Sequence, residues 1–379
     1  MSVQRMLMIV PAPVARLADG RLRLDVKFVE GMRLHCRLSQ GPIAVVMWDH
    51  GAPIPFGAAY ARGDLGFEVV ILSPGEPIDP ALLQRFDRIF ASADMVEALD
   101  LAGAGQVPVV YSVEYTIGTR LKIVALDRGL SWPRKLWSML WNVRMELRRR
   151  RAFRRATAVQ ANGYPAFAAY RGLNAATMLY LDGRMRADMM ATPVEMAARA
   201  GYAGPLRLVH SGRLEPMKGA QDLLPVARAL QAAGVPFTLD IFGAGSLAEG
   251  IRAGLAAFGG AVRLHDPVDF ETGLVPWMRA NADLFLSCHR QSDPSCTYLE
   301  SMGCGVPVIG YDNAMWAAMQ ADCGAGWVVP MGRVALMARD IARLAGARAE
   351  VASHASRALD FARRHDFETE FTRRMQQKL

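Results

Sequence analysis

Gly212-Arg213-Leu214-Glu215-Pro216-Met217-Lys218-Gly219 follows directly on the apolar run Leu206–His210, and this junction decides how the second half of the chain is read. A short apolar run entering a glycine-bounded loop that feeds a helix is the start of a strand–loop–helix unit. Arg213 and Lys218 stand five residues apart in that loop. Two cations beside the free backbone N–H groups of a helix N-terminus make a place for a diphosphate. Hydrogen bonds to charged groups contribute about 1.5–3 kcal/mol each, so two such contacts would dominate the affinity for an anionic ligand. The same residues also fit an ordinary turn with solvated charges, and the loop alone does not separate the two.

The unit is one of many. Apolar runs with the length of buried strands recur at Leu7–Val10, Ile43–Met47, Glu68–Leu72, Val109–Tyr111 and Ala158–Gln160. A second series runs through Leu206–His210, Phe237–Phe242, Val262–Leu264, Leu284–Ser287 and Pro307–Tyr311. Amphipathic stretches such as Leu223–Ala233 and Met337–Leu344 lie between them. Buried strands spaced by helices predict parallel, doubly wound sheets, and two series predict two of them. An Ala/Gly/Pro-rich stretch at Ala197–Pro205 places the boundary between them. The expected domains are therefore 1–200 and 201–355, followed by a final helix over 356–379. Ligands of open α/β sheets bind at the carboxyl ends of strands, so the loops after the second series are where a site is expected.

Composition narrows the class. The chain has 379 residues, enough for two ordinary domains, and its 52% hydrophobic and 21% charged content excludes a disordered chain. No apolar run reaches the ~20 residues of a spanning helix. Met6–Ala15 is apolar behind Arg5 but holds Pro11 and Pro13, and reads as a first buried strand rather than a signal segment. The five cysteines include no C-x-x-C pair and no histidine at metal-ligand spacing. They read as reduced thiols of a cytoplasmic protein, with no metal site. A net charge of +8 favours an anionic partner.

Two further loops carry chemistry. Gly243-Ala244-Gly245-Ser246 follows the run Phe237–Phe242 and allows close approach of backbone to a nucleotide. Extended to Ala248 it matches the dinucleotide pattern G-x-G-x-x-A, with Asp266 where a ribose-binding acid would stand, so an oxidoreductase is a competing reading. The third loop, Ser292-Asp293-Pro294-Ser295-Cys296-Thr297-Tyr298-Leu299-Glu300, precedes Gly303-Cys304-Gly305-Val306-Pro307-Val308-Ile309. Sugars and ribose call for a carboxylate that accepts from paired hydroxyls, here Glu300. Phosphate calls for backbone N–H groups such as those of Ser295, Cys296 and Thr297. Thr297-x-x-Glu300 is also a capping box, in which Glu300 would serve only the helix start.

Taken together, Gly-Arg-x4-Lys-Gly, then Gly-x-Gly, then the acidic loop ending in Glu300-Ser-Met-Gly-Cys-Gly-Val-Pro-Val resemble glycosyltransferase family 4 of the GT-B fold, over roughly residues 205–330. The loop from Asp293 to Glu300 and the following Gly310-Tyr311-Asp312-Asn313 look closest to members that build bacterial exopolysaccharides. The resemblance implies two Rossmann-like, doubly wound parallel-sheet domains facing a cleft, the first binding the acceptor and the second a nucleotide-sugar donor, with UDP ahead of GDP as the carrier. It implies that Arg213 and Lys218, behind Gly212, hold the diphosphate and offset the charge of its departure. Glu300 would bind the ribose, and Gly243, Gly245 and the loop at His265 would flank the base. It further implies a retaining reaction without metal or other cofactor, and a glycan or lipid-linked acceptor.

This chain departs from the family pattern at two places. The first acid of the family's Glu-x7-Glu pair is Ser292 here, with Asp293 one residue later as its substitute. The histidine that members place after a mid-domain strand is replaced by Ser112-Val113-Glu114-Tyr115-Thr116, so Glu114 stands in for it, and His50 is the other candidate. An epimerase of the same fold and a catalytically silent scaffold remain alternatives. An epimerase needs an acid and a base on opposite faces of the sugar, and no such pair stands out.

Residues 134–155 carry Arg134, Lys135, Arg144, Arg148–Arg151, Arg154 and Arg155 against Glu146 alone. Leu136, Leu140, Val143 and Leu147 form a helical stripe, with Trp137, Trp141 and Met145 beside it. A cationic amphipathic helix with Trp at one end suits an anionic membrane surface, here the cytoplasmic face. The alternatives are a core-facing helix with a solvated basic face and, last, nucleic acid, which is not expected as a partner.

Overall fold

Ile43-Ala-Val-Val-Met-Trp48 is buried at every position, the signature of a strand covered on both faces. Ala44, Val46 and Trp48 enter one apolar cluster, while Ile43, Val45 and Met47 enter another on the opposite face. The computed structural model that establishes this describes residues 4–39, 41–49, 51, 54, 57–103, 107–127, 129–292 and 294–377.

By its packing the chain divides into two compact units, Met1–Tyr180 with Phe371–Leu379, and Leu181–Glu370. The strands of the first unit are β1 (Met6–Ile9), β2 (Val14–Arg16), β3 (Leu22–Asp25), β4 (Ile43–Trp48), β5 (Gly57–Tyr60), β6 (Glu68–Leu72), β7 (Arg88–Ser92), β8 (Val109–Val113), β9 (Ala158–Asn162) and β10 (Thr177–Tyr180). Seven of them form a sheet ordered β10-β9-β8-β7-β1-β4-β6, parallel at every pairing. The other three, β2-β3-β5, make a small antiparallel sheet that the apolar runs did not announce.

The second unit has β11 (Leu206–Ser211), β12 (Phe237–Phe242), β13 (Val262–His265), β14 (Leu284–Ser287), β15 (Val308–Tyr311) and β16 (Trp327–Val329). They pair in parallel in the order β13-β12-β11-β14-β15-β16. This is the doubly wound order whose strand direction of growth reverses between the first strand and the fourth. The crevice of such a sheet lies at the carboxyl ends of β11 and β14.

Two boundaries differ from the sequence expectation. Residues 181–200, grouped with the first half by composition, belong to the second unit. The helix Pro193–Ala200 packs on the helix Arg348–Arg364, and Arg199 donates to the carbonyls of Gly305, Arg279 and Cys304. An Ala/Gly/Pro-rich stretch here is a helix end and a turn, not a linker. The final helix is likewise two helices, Arg348–Arg364 and Phe367–Met375. They break where the Asp366 carboxylate accepts from the backbone N–H groups of Glu368 and Thr369, and only 371–379 pack in the first unit.

Candidate functional site

The loop after β11 is stitched to the loops after β12 and β14. Gly212 N–H donates to Phe242 O at 3.0 Å and Leu214 N–H to Ala244 O at 2.9 Å, while Leu247 N–H returns to Leu214 O at 2.9 Å. The Glu215 carboxylate accepts from Ser246 N–H at 2.9 Å and from Ser246 Oγ–H at 2.5 Å. On the other side, the N–H groups of Arg290 and Gln291 both reach Met217 O, at 3.1 and 3.2 Å. Three loops far apart in sequence are thus joined at the crevice of the second sheet.

Glycine makes this packing possible. Gly219 has φ +68°, and a Cβ there would run into the Cys288 carbonyl. Gly243, at φ +149°, lies so close to Gly212 that a Cβ would run into the Gly212 carbonyl. Gly245 accepts from Ala248 N–H at 3.1 Å and turns the chain into the helix Ala248–Gly254.

Within this surface Arg213 is exposed, with Glu215 as its charged neighbour, whereas Lys218 is only 8% exposed. Two buried histidines lie close behind Lys218. His210 Nδ1–H donates to Leu286 O at 2.9 Å, and its ring meets that of His289 edge-on at 6.2 Å. Burial lowers His210 to about 4, with the charge of Lys218 adding to the effect. Burial and Lys218 hold His289 well below the ordinary histidine range too. Both rings are neutral.

The helix Cys296–Gly303 follows the loop after β14. Ser295 is its N-cap, but no side chain caps it, because Ser295 Oγ is engaged with Thr297 Oγ1 at 2.7 Å. Ser295, Cys296 and Thr297 are half-buried, and their helix end carries the partial positive charge of unsatisfied N–H groups. Glu300 does not close a capping box. The helix begins two residues earlier than that reading requires, and Glu300 lies in its second turn, 3% exposed. Its Oε1 instead accepts from Arg184 Nε–H at 2.8 Å, with Arg184 Nη2 also 2.8 Å away in the ion pair.

At the far edge, His265 ends β13. Its Nε2–H donates to Asp240 Oδ1 at 2.7 Å, and its ring stacks on Phe242 with centroids 4.4 Å apart. Trp277 meets Phe242 edge-on at 4.8 Å, so an aromatic wall stands beside the Gly243 turn. Asp266, the acid of the dinucleotide reading, is 92% exposed and only near Arg252, at 3.8 Å. The Gly-x-Gly turn follows the second strand of its sheet rather than the first, which removes the remaining support for that reading.

The second unit thus gathers Gly212, Arg213, Lys218, Gly243, Gly245, His265, Ser295, Cys296, Thr297 and Glu300. Glu114 belongs to the first unit, half-buried just after β8, where its backbone N–H supports Asp94 and the Asp94–Arg120 ion pair. Asp293 and His50 lie outside the described residues. Ser292 Oγ accepts the Ala314 N–H at 3.1 Å, the first of the next helix, whose N-cap is Asn313. Arg184, Asp240, Trp277 and His289 were not foreseen. Only His289 had a signal, its place two residues beyond a strand end.

The fold is GT-B, built from two Rossmann-like parallel-sheet domains. Over 98% of both chains it is similar to the crystal structure of HepE from Anabaena in complex with UDP, with TM-score 0.65 and 16% identity. It is similar to sucrose-phosphate synthase from Thermosynechococcus elongatus over 98% of this chain and 97% of that one, with TM-score 0.64 and 15% identity. WaaG, a glycosyltransferase involved in lipopolysaccharide biosynthesis, aligns over 98% of this chain and 100% of its own, with TM-score 0.56 and 14% identity. Residues 205–346 match the family model described as glycosyl transferases group 1, which spans the three loops. No curated protein matches the chain.

Proposed function

We propose that this protein is a retaining, metal-independent glycosyltransferase that moves a hexose from a nucleotide diphosphate donor, UDP ahead of GDP, to a glycan or lipid-linked acceptor in polysaccharide biosynthesis. The observation that carries the reading is the union of the Arg213–Lys218 loop with the Gly243 turn and with Arg290–Gln291 after β14, inside the segment that matches group 1 glycosyltransferases. Lys218 and Arg213, with the N–H groups at the start of Cys296–Gly303, hold the diphosphate. Glu300 takes the ribose hydroxyls, and the aromatic wall of His265, Phe242 and Trp277 receives the base.

In the transfer, the acceptor oxygen bonds to the anomeric carbon as the bond from that carbon to the phosphate oxygen breaks. The acceptor proton passes to the departing phosphate on the same face. Charge accumulates on the diphosphate, where the two cations stabilise it more than in the ground state. Glu114 serves the acceptor side from the first unit, and Asp293 substitutes for the first acid of the pair. A thermal-shift panel of UDP, GDP, ADP and NAD tests the reading, since a ligand that binds only the native state raises the melting temperature. Stabilisation by NAD alone would overturn it.

The protein works at the cytoplasmic face of a membrane through the helix Trp132–Arg155. Its buried face holds Asn142, Met145, Glu146, Arg149, Ala152 and Phe153. The stripe Leu136, Leu140, Val143 and Leu147 is exposed, along with Trp132 and Trp137 at 71% and 69%. Further along the same exposed side stand Arg144, Arg151, Arg154 and Arg155. An exposed apolar stripe for the acyl boundary and exposed cations for anionic headgroups suit a lipid surface.

A further inference from the structure

Glu300 lies in the second turn of a buried helix, and its carboxylate is held by a residue 116 positions earlier in the chain. Arg184 donates Nε–H to Oε1 at 2.8 Å, and its Nη2 completes the ion pair with the same oxygen at 2.8 Å. Its guanidinium lies 4.1 Å from the centre of the Phe270 ring, which fixes the plane of the fork. Among the described residues Oε2 of Glu300 accepts no hydrogen bond.

The segment that presents Arg184 is itself anchored. Leu181, Gly183 and Met185 are buried while Arg184 and Arg186 are half-buried, the alternation of an extended strap. Gly183 lies against Leu299, one residue before Glu300, and Met185 lies against Gly303 at the end of the same helix. Met185 O accepts from Phe367 N–H at 2.8 Å, and Arg186 pairs with Glu271 at 2.6 Å. The strap therefore crosses the helix in one register and places the fork at the carboxylate.

From this we infer that Arg184 is a positioning residue for recognition of the donor ribose: it occupies one oxygen of Glu300 and turns the other toward the paired hydroxyls of the sugar. The inference rests on the reading of Glu300 as the ribose acid. A carboxylate with both oxygens free rotates and accepts hydroxyls in several poses. One held through Oε1 by a charge-assisted hydrogen bond within a close ion pair presents a single acceptor in a fixed direction, and direction decides how well it recognises a hydroxyl. Arg184 touches no substrate in this role; its effect passes through Glu300.

The test compares nucleotides that differ in one hydroxyl. Dissociation constants for UDP against 2′-deoxy-UDP, and for GDP against 2′-deoxy-GDP, are measured by calorimetry on the parent, Glu300→Gln, Arg184→Ala and Arg184→Lys. The parent should prefer the better-bound ribonucleotide by about tenfold or more, the range of a hydrogen bond to a charged group. Glu300→Gln should bring that ratio close to one. Arg184→Ala should do the same, and Arg184→Lys, which keeps the charge but loses the fork, should fall between. A merely structural role would weaken both nucleotides together and leave the ratio as in the parent, which overturns the inference. An unchanged ratio in Glu300→Gln would instead overturn the ribose reading beneath it. Should Arg184→Ala fail to fold, a parental ratio in Arg184→Lys overturns the inference as well.

Discussion

Asp240 holds His265: a carboxylate 3% exposed accepts from the ring Nε2–H at 2.7 Å and also takes Arg263 at 2.7 Å through both of its oxygens. The hydrogen bond fixes the ring that stacks on Phe242 beside the Gly243 turn. Replacing Asp240 by Ala frees that ring, while Arg263, half in solvent, keeps its hydration. UDP affinity should fall by about three- to tenfold with the fold retained, as expected for one lost charge-assisted contact that orients another group. Calorimetry on a variant with native circular dichroism reads this directly. Parental affinity would mean that His265 does not border the nucleotide.

Gly219 and Gly234 share nearly the same backbone, with φ +68° and +67°, but different surroundings. A Cβ at Gly234 meets nothing within 4 Å, whereas at Gly219 it runs into the Cys288 carbonyl. Gly234→Ala should therefore lose only the left-handed penalty, about 1–2 kcal/mol. Gly219→Ala adds a backbone collision and should cost about 2–5 kcal/mol in all, together with donor binding. Chemical denaturation of the two variants separates the terms, and equal losses would mean that the loops after β11 and β14 are not in close contact.

Much of this arrangement was legible because the central strands are continuous apolar runs. The ends of Phe237–Phe242 and Leu284–Ser287 fall where the runs do, since strands covered on both faces are buried at nearly every position. The small sheet β2-β3-β5 was invisible for the opposite reason. Val-Ala-Arg, Leu-Arg-Leu-Asp and Gly-Ala-Ala-Tyr are short and partly exposed, and their pairing depends on distant chain. β7 was missed because only Ile89, Phe90 and Ala91 are apolar between Arg88 and Ser92. In the site, contiguous loops could be read and remote partners could not. Glu300 looked like a helix cap because Thr297 precedes it by three residues, but that spacing says nothing of where the helix starts or of Arg184.

Lys218 is 8% exposed in the loop after β11 and lies beside two neutral histidines. Lys218→Ala should lower turnover by about 10²–10³-fold, the usual loss when one preorganised charge donor to a developing anion is removed. Arg213→Ala, on an exposed residue whose charge water screens, should cost less. The parent should keep full activity in EDTA, because the reading gives the cations the work of a metal. Donor turnover followed by release of the nucleoside diphosphate measures all three. Near-normal rates in Lys218→Ala would sink the diphosphate role, and a strict metal requirement would sink the metal-free mechanism.

His210 and His35 are buried and neutral, lowered by desolvation to about 4 and about 3. For a base whose folded pKa lies below its unfolded value near 6.5, the unfolded chain binds more protons between the two. Stability therefore rises with pH through that window and is lost as pH falls from about 6.5 toward 4, by up to about 1.4 kcal/mol per pH unit for each ring. Melting temperature should decline across this range. His210→Gln, which cannot take the proton, should flatten the decline while lowering stability at pH 7.5. A slope equal to the parent's would show that His210 does not titrate on unfolding.

The helix Trp132–Arg155 exposes large apolar side chains together with cations, Arg134 already among them at its start. Its 24 residues span about 36 Å, with Trp132, Leu136, Trp137 and Leu140 toward the start and Arg151, Arg154 and Arg155 toward the end. A core-facing role for the leucine stripe is excluded, since the buried side is occupied by Asn142, Glu146 and Arg149 among others. Each inserted Leu or Trp contributes about 1.5–3 kcal/mol at full burial, and each cation near an anionic surface about 1 kcal/mol. Vesicles of phosphatidylcholine with phosphatidylglycerol should therefore sediment the protein, whereas phosphatidylcholine alone should do so weakly. Trp137→Ser with Leu140→Ser should reduce partitioning by tenfold or more on both surfaces, about the effect of 1.4 kcal/mol or greater. Arg151→Ala with Arg154→Ala should reduce it only on the anionic one and remove most of the salt dependence. Partitioning that ignores both the lipid charge and the two double variants would leave this face without a membrane role, and a concentration-dependent dimer lost in Trp137→Ser would assign it to a second copy of the chain instead.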